Sequence, residues 1–98
     1  MIALYDDAQR DLLRRSMNVW GQPSQINMVV EECAELISSI QRYERGRTKP
    51  ADVIDEVADV LITLGYLVEV FGEDAVKAQL ARKWDRLRER VEAAEGAA

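Results

Sequence analysis

Residues 29–40 of this 98-residue chain recur in kind at residues 53–64. Glu31-Glu32-Cys33-Ala34-Glu35-Leu36-Ile37 aligns with Asp55-Glu56-Val57-Ala58-Asp59-Val60-Leu61 at an offset of 24 residues. The match extends outward: Val29 falls on Val53, Val30 on Ile54 and Ile40 on Leu64. Acid meets acid at three positions, and apolar meets apolar around them. Both copies carry their apolar residues at helical spacing, and only a short turn separates them. The repeat therefore predicts two helices of similar face, packed as antiparallel neighbours in an all-α fold.

The rest of the chain extends this to an antiparallel four-helix bundle. Asp6-Asp7 can cap a first helix ending near residue 19, with Leu4, Ala8, Leu12, Leu13 and Met17 as its apolar stripe. Trp20-Gly21-Gln22-Pro23-Ser24 breaks it, and Ser24 suits the cap of a second helix from about residue 25 to 44. Pro50 fits the first position of a third helix, and Gly72 its end. The fourth starts at Glu73-Asp74, with Val76, Leu80, Trp84, Leu87 and Val91 as the stripe it would bury. Its last residues, from about 94, are expected to fray. Nothing alternates over the length of a hairpin, so no strand is expected.

On helical wheels, at about 100° per residue, Cys33 and Val57 centre the two apolar faces. Glu32 and Glu56 then lie about 100° to one side, and Glu35 and Asp59 about 60° further. Residues three apart are surface neighbours, so each helix offers one pair of carboxylates at the core boundary. The midpoint between the clusters is the turn at Arg45-Gly46, so a hairpin closing there brings the pairs level. A single pair of acids three apart is ordinary on a solvated face. Matching pairs on consecutive helices are not. At an effective dielectric near 20, two carboxylates about 5 Å apart repel by roughly 3 kcal/mol. Cations are the natural compensation, and all-oxygen ligation favours hard ions such as Mg²⁺, with Mn²⁺ as a substitute.

Composition excludes other chemistries. There is no histidine, which removes His-based triads, typical zinc enzymes and His-ligated di-iron centres. The formal charge of −5 argues against nucleic acid as a partner. No apolar run is long enough for a membrane span, and the first residues lack the basic start and apolar stretch of a signal peptide. The lone Cys33 cannot form an internal disulfide and reads as a small core hydrophobe. A cytoplasmic setting and one domain over residues 1–98 are expected. From Val60 to Phe71 only Glu69 is charged, so the third helix should be buried on more than one face. That predicts a homodimer or homotetramer.

Glu31-Glu32-x-x-Glu35, followed after 20 residues by Glu56-x-x-Asp59, resembles the signature of MazG-like nucleotide pyrophosphohydrolases. The resemblance covers roughly residues 20–91. It implies an all-α oligomer that cleaves a nucleoside triphosphate to the monophosphate and pyrophosphate with Mg²⁺. It makes Glu32, Glu35, Glu56 and Asp59 the metal ligands and Glu31 an additional acid of the motif. With no histidine, Glu31 or Glu32 would serve as general base. Lys83, Arg86 and Arg90 fit the family's basic positions on the fourth helix and would hold phosphates. Trp20-Gly21-x-Pro23-x-Gln25 is similar to the family's segment before the first acid motif, which makes Trp20 and Gln25 candidates for base recognition. Trp20 also reads as a staple at a helix end, and Lys83 and Arg86 as partners of acids across the bundle. The alternatives are phosphoribosyl-ATP cleavage, which uses the same chemistry, and a non-catalytic helical interaction module. Stabilisation by Mg²⁺ separates the second alternative from an enzyme.

Overall fold

Asp6 starts the first helix with a reciprocal cap. Its Oδ1 accepts the Gln9 backbone N–H at 2.7 Å, and Gln9 Oε1 accepts the Asp6 N–H at 2.9 Å. The structure, a computed structural model, describes residues 4–97. Met1, Ile2 and Ala3 of the N-terminal segment and Ala98 of the expected frayed tail lie outside the described residues. Four helices follow in order: α1 (Asp7–Trp20), α2 (Gln22–Glu44), α3 (Pro50–Phe71) and α4 (Glu73–Ala97). No strand occurs among the described residues.

Two junctions consist of a single glycine. Gly21 (φ 92°) separates α1 from α2, and Gly72 (φ 99°) separates α3 from α4. These are backbone angles that a side chain disfavours, so one residue can redirect the chain. The first junction corrects the expected start of α2. The helix begins at Gln22 with Gly21 as its cap, and Pro23 sits inside the first turn, where its missing N–H has no cost. Ser24 is therefore not the cap. Pro50 does open α3, behind a turn in which Asp52 Oδ2 accepts from Thr48 Oγ1 at 2.6 Å and from the Lys49 N–H at 3.1 Å. At the other end, α4 stays helical to Ala97, past the residue where fraying was expected.

The core belongs to three helices. Leu13 of α1, Val29 of α2 and Tyr66 of α3 are buried together, with Met17, Cys33 and Leu67 packed against them. Cys33 packs there as a small hydrophobe. Gly65 lets α1 approach α3, since a Cβ at that position would lie 2.5 Å from Leu13 Cδ1. A polar knot sits beside the core. Gln25 Nε2 donates to Tyr66 Oη at 2.9 Å and to Ser16 Oγ at 3.3 Å, and the two hydroxyls are 2.8 Å apart.

Two expectations about burial need correction. The four helices do not close into one bundle within a single chain: the backbone of α4 packs only against α3, its first turn is tied to α1 by an ion pair, and none of its residues is buried. Its stripe of Leu80, Trp84, Leu87 and Val91 is exposed. The wheel centres are also rotated. The seam between α2 and α3 runs through Gln25, Val29, Glu32, Leu36 and Ser39 on one side and Val53, Glu56, Val60 and Thr63 on the other, while Val57 is exposed. Two facing helices can bury only one stripe each. A mixed stripe of apolar and polar residues is turned inward here, and apolar residues such as Val30, Ile37, Ile54 and Leu61 are left in water.

The direction of α4 is fixed by charge. Arg10 on α1 meets Glu69 at 2.8 Å through Nε and Glu73 at 2.8 Å through Nη1, and Arg14 Nη1 lies 3.5 Å from Glu69. Glu69 ends α3 and Glu73 begins α4, so one guanidinium holds both sides of the Gly72 junction. Both carboxylates are nearly buried, where an ion pair is screened little by solvent. No helix among the described residues is long and apolar enough to cross a membrane.

Candidate metal centre

Helical spacing sets the acids in pairs, and the hairpin brings the pairs together. Glu32 and Glu35 stand one turn apart on α2, Glu56 and Asp59 one turn apart on α3. In the folded chain, carboxylate oxygens of Glu32, Glu35 and Glu56 all lie within 4.8 Å of one another. A second group, Asp55, Glu56 and Asp59, meets the same limit and shares Glu56. No single group holds all four expected acids: Glu32 and Glu35 of α2 meet Glu56 across the seam, while Asp59 groups with Glu56 and Asp55 on α3.

The electrostatics are those of an uncompensated cluster. Glu32 Oε2 and Glu56 Oε2 are shielded from water and have no hydrogen-bond partner. Burial, reinforced by Glu35, Asp59, Glu56 and Glu31, raises the pKa of the Glu32 carboxyl above its ordinary value. Glu56 is raised in the same way, by burial and then by Glu35, Asp59 and Asp55. Both side chains are partly exposed as wholes, so the desolvation is local to the inward oxygens. The shielded oxygens face other acceptors and no donor. A hard divalent cation fits this all-oxygen set, because it supplies the positive charge that no N–H of the chain brings there.

The other candidate residues are distributed more widely. Glu31 is exposed and lies outside both oxygen groups, although its charge reaches Glu32. Lys83, Arg86 and Arg90 are exposed on α4, and none forms an ion pair with an acid of α2 or α3 among the described residues. Trp20, 65% exposed, lines an apolar cleft with Leu12, Val19, Leu61 and Phe71, on the side where α1, α3 and α4 meet. Gln25 is buried, and its amide nitrogen is engaged by Tyr66 and Ser16. It stands two turns, about 10 Å, before Glu32 on the same stripe of α2.

Asp55 was not singled out from the sequence as a site residue. The signal was present, since the repeat aligns Asp55 with Glu31, the candidate base, and Asp55 stands one turn before Asp59. The fold separates them: Asp55 joins Glu56 and Asp59, and Glu31 joins no group.

Comparison with known proteins agrees with the helical arrangement. No curated protein and no solved structure matches the chain. The family model of the MazG nucleotide pyrophosphohydrolase domain matches residues 21–91, a span that holds both acid pairs and most of α4. The chain therefore belongs to the MazG nucleotide pyrophosphohydrolase family.

Proposed function

We propose that the protein is a Mg²⁺-dependent nucleoside triphosphate pyrophosphohydrolase, converting a (d)NTP and water to the (d)NMP and pyrophosphate. The observation that carries this reading is the joined pair of carboxylate groups sharing Glu56, in a chain of the MazG family. Mg²⁺, with Mn²⁺ as a substitute, would be held by Glu32, Glu35, Glu56 and Asp59. When bound, the ion neutralises charge on the phosphates and lowers the pKa of a coordinated water.

The chain's own residues supply the rest. Histidine is absent, so the proton of the attacking water must pass to a carboxylate. Glu31, beside the cluster and exposed, is the candidate base, with Glu32 as the other. Full turnover in Glu31→Gln would remove Glu31 from that role. Lys83, Arg86 and Arg90 would hold phosphate oxygens, arginine in bidentate fashion. Trp20 is the residue free to meet a base. Gln25 would act on it through the Tyr66 knot.

A homo-oligomer belongs to this reading. Leu61 and Ile62 of α3, Phe71 at its end and Trp84 of α4 are each more than half exposed in a single chain. Such a surface exceeds what scattered apolar residues explain, and a second copy covers it. The reading treats residues 1–98 as one MazG-like helical unit acting on cytoplasmic nucleotide pools in a sanitising role.

The test is a panel of nucleoside triphosphates with Mg²⁺, reading released pyrophosphate, with Glu35→Gln as control. Release by the wild type and its loss in Glu35→Gln is the expected result. No release from any substrate would sink the enzymatic reading.

A further inference from the structure

Next to the carboxylate cluster, between the C-terminal half of α2 and the start of α3, lies a polar cleft of about 470 Å³. Glu35 and Glu56 form one of its walls, so it opens directly onto the metal centre. Arg42 and Ser39 line it from α2, one helical turn apart. Arg42 is its one cationic lining residue and forms no ion pair among the described residues. Ser39 is 7% exposed and lines the cleft beside Arg42.

The lining also selects among the parts of a nucleotide. It contains no aromatic and no large apolar side chain, so a base has nothing to stack on. The Asp52 carboxylate is already engaged by Thr48 and the Lys49 N–H, and burial is outweighed there by these bonds, which hold its pKa below the ordinary value. Asp55 faces the metal group it shares with Glu56. What remains is the unpaired Arg42 guanidinium with Ser39 beside it on one side, and the candidate metal-binding carboxylates on the other. An anion that carries its own divalent ion meets both.

We propose that this cleft is the subsite for the leaving pyrophosphate end of the substrate, with Arg42 contacting its terminal oxygens and Ser39 bonding a phosphate oxygen from the buried side. The proposal rests on the pyrophosphohydrolase reading and assigns the direction in which the phosphate chain lies: away from Trp20 and toward the 45–49 turn.

The test is calorimetric titration of inorganic pyrophosphate, and separately of a nucleoside monophosphate, into the full chain with saturating Mg²⁺. Arg42→Gln should weaken pyrophosphate roughly tenfold or more, as expected for a lost charge-assisted bond. Monophosphate affinity and the Mg²⁺-induced rise in Tm should be unchanged. Ser39→Ala should weaken pyrophosphate less, and Arg88→Gln on the exposed side of α4 not at all. Unchanged pyrophosphate affinity in Arg42→Gln would overturn the subsite, as would equal weakening of both ligands. If triphosphates are hydrolysed and pyrophosphate ignores Arg42, the subsite fails and the enzyme reading stands. If no triphosphate is hydrolysed yet pyrophosphate binding depends on Arg42, the subsite stands and the enzyme reading fails.

Discussion

Glu32 on α2 and Glu56 on α3 meet in the helix seam, each with its Oε2 shut away from water and unpartnered. Two acids occupy positions that a small helical domain would ordinarily fill with apolar side chains. That arrangement lowers the stability of the metal-free chain and prepares it for a cation.

The first prediction concerns pH. Both carboxyls are raised above 4.5 in the folded chain. A group raised on folding contributes stability that is complete below its unfolded value and lost as pH climbs through the folded one. Without metal, wild type should therefore lose Tm relative to Glu56→Gln as pH rises above about 4.5. Mg²⁺ requires the ionised carboxylates, so the rise in Tm that it causes should grow over the same window. Thermal melts across pH, with chelator or with Mg²⁺, check both signs. Equal melting of wild type and Glu56→Gln at every pH would contradict the picture.

Asp55 is predicted to matter for metal as well as for the helix surface. Asp55→Asn should weaken Mg²⁺ or Mn²⁺ by roughly tenfold or more, in the range seen when groups around a metal site are removed. Asp11→Asn, an exposed acid on α1, should leave metal affinity unchanged. Titration of Mn²⁺ followed by its magnetic resonance signal measures this directly.

The polar knot beside the core gives a stability prediction. Tyr66→Phe removes the hydroxyl that accepts from Gln25 and leaves a buried amide short of a partner. A loss of about 1–3 kcal/mol is expected by urea unfolding. KM for a triphosphate should change little if Gln25 serves the fold, and substantially if Gln25 positions Trp20 or the base.

Gly65 is predicted to resist substitution. Alanine is the better helix former by about 1 kcal/mol. Its methyl would nevertheless meet Leu13 Cδ1 at 2.5 Å, in the best-packed part of the core. Overpacking of this kind costs about 1–3 kcal/mol, so Gly65→Ala should be net destabilising. Combining it with Leu13→Ala should cost less than the sum of the two, because the clash disappears. Additive losses would place the effect elsewhere.

The helices were legible because each carries its own local signals: the Asp6 cap, the glycines at 21 and 72, and Pro50. The acid cluster was legible because helical spacing and a short turn leave little freedom in how two repeats face one another. The rotation of the seam was not. Periodicity shows that α2 and α3 have apolar stripes, but both helices have more apolar surface than one partner can bury. Which stripe turns inward depends on what packs on the outside. For the same reason the stripe of α4 read as buried. Its spacing is that of a packed helix, and a sequence does not say whether the partner is in the same chain. Asp55 was half legible: its spacing to Asp59 puts it on the same face of α3, but the rotamer that brings its oxygen to Glu56 is not encoded by spacing.

Arg10 gives the fold a lever. It ties the last turn of α3 and the first turn of α4 to α1, across a junction of one glycine. A helix of 25 residues is roughly 37 Å long, so a tilt of about 5° at that corner sweeps its far end by roughly 3 Å. Lys83, Arg86 and Arg90 ride on that arm. Their aim is set by an arginine on a different helix, and a change at residue 10 would be felt as misplaced charge three turns or more along α4.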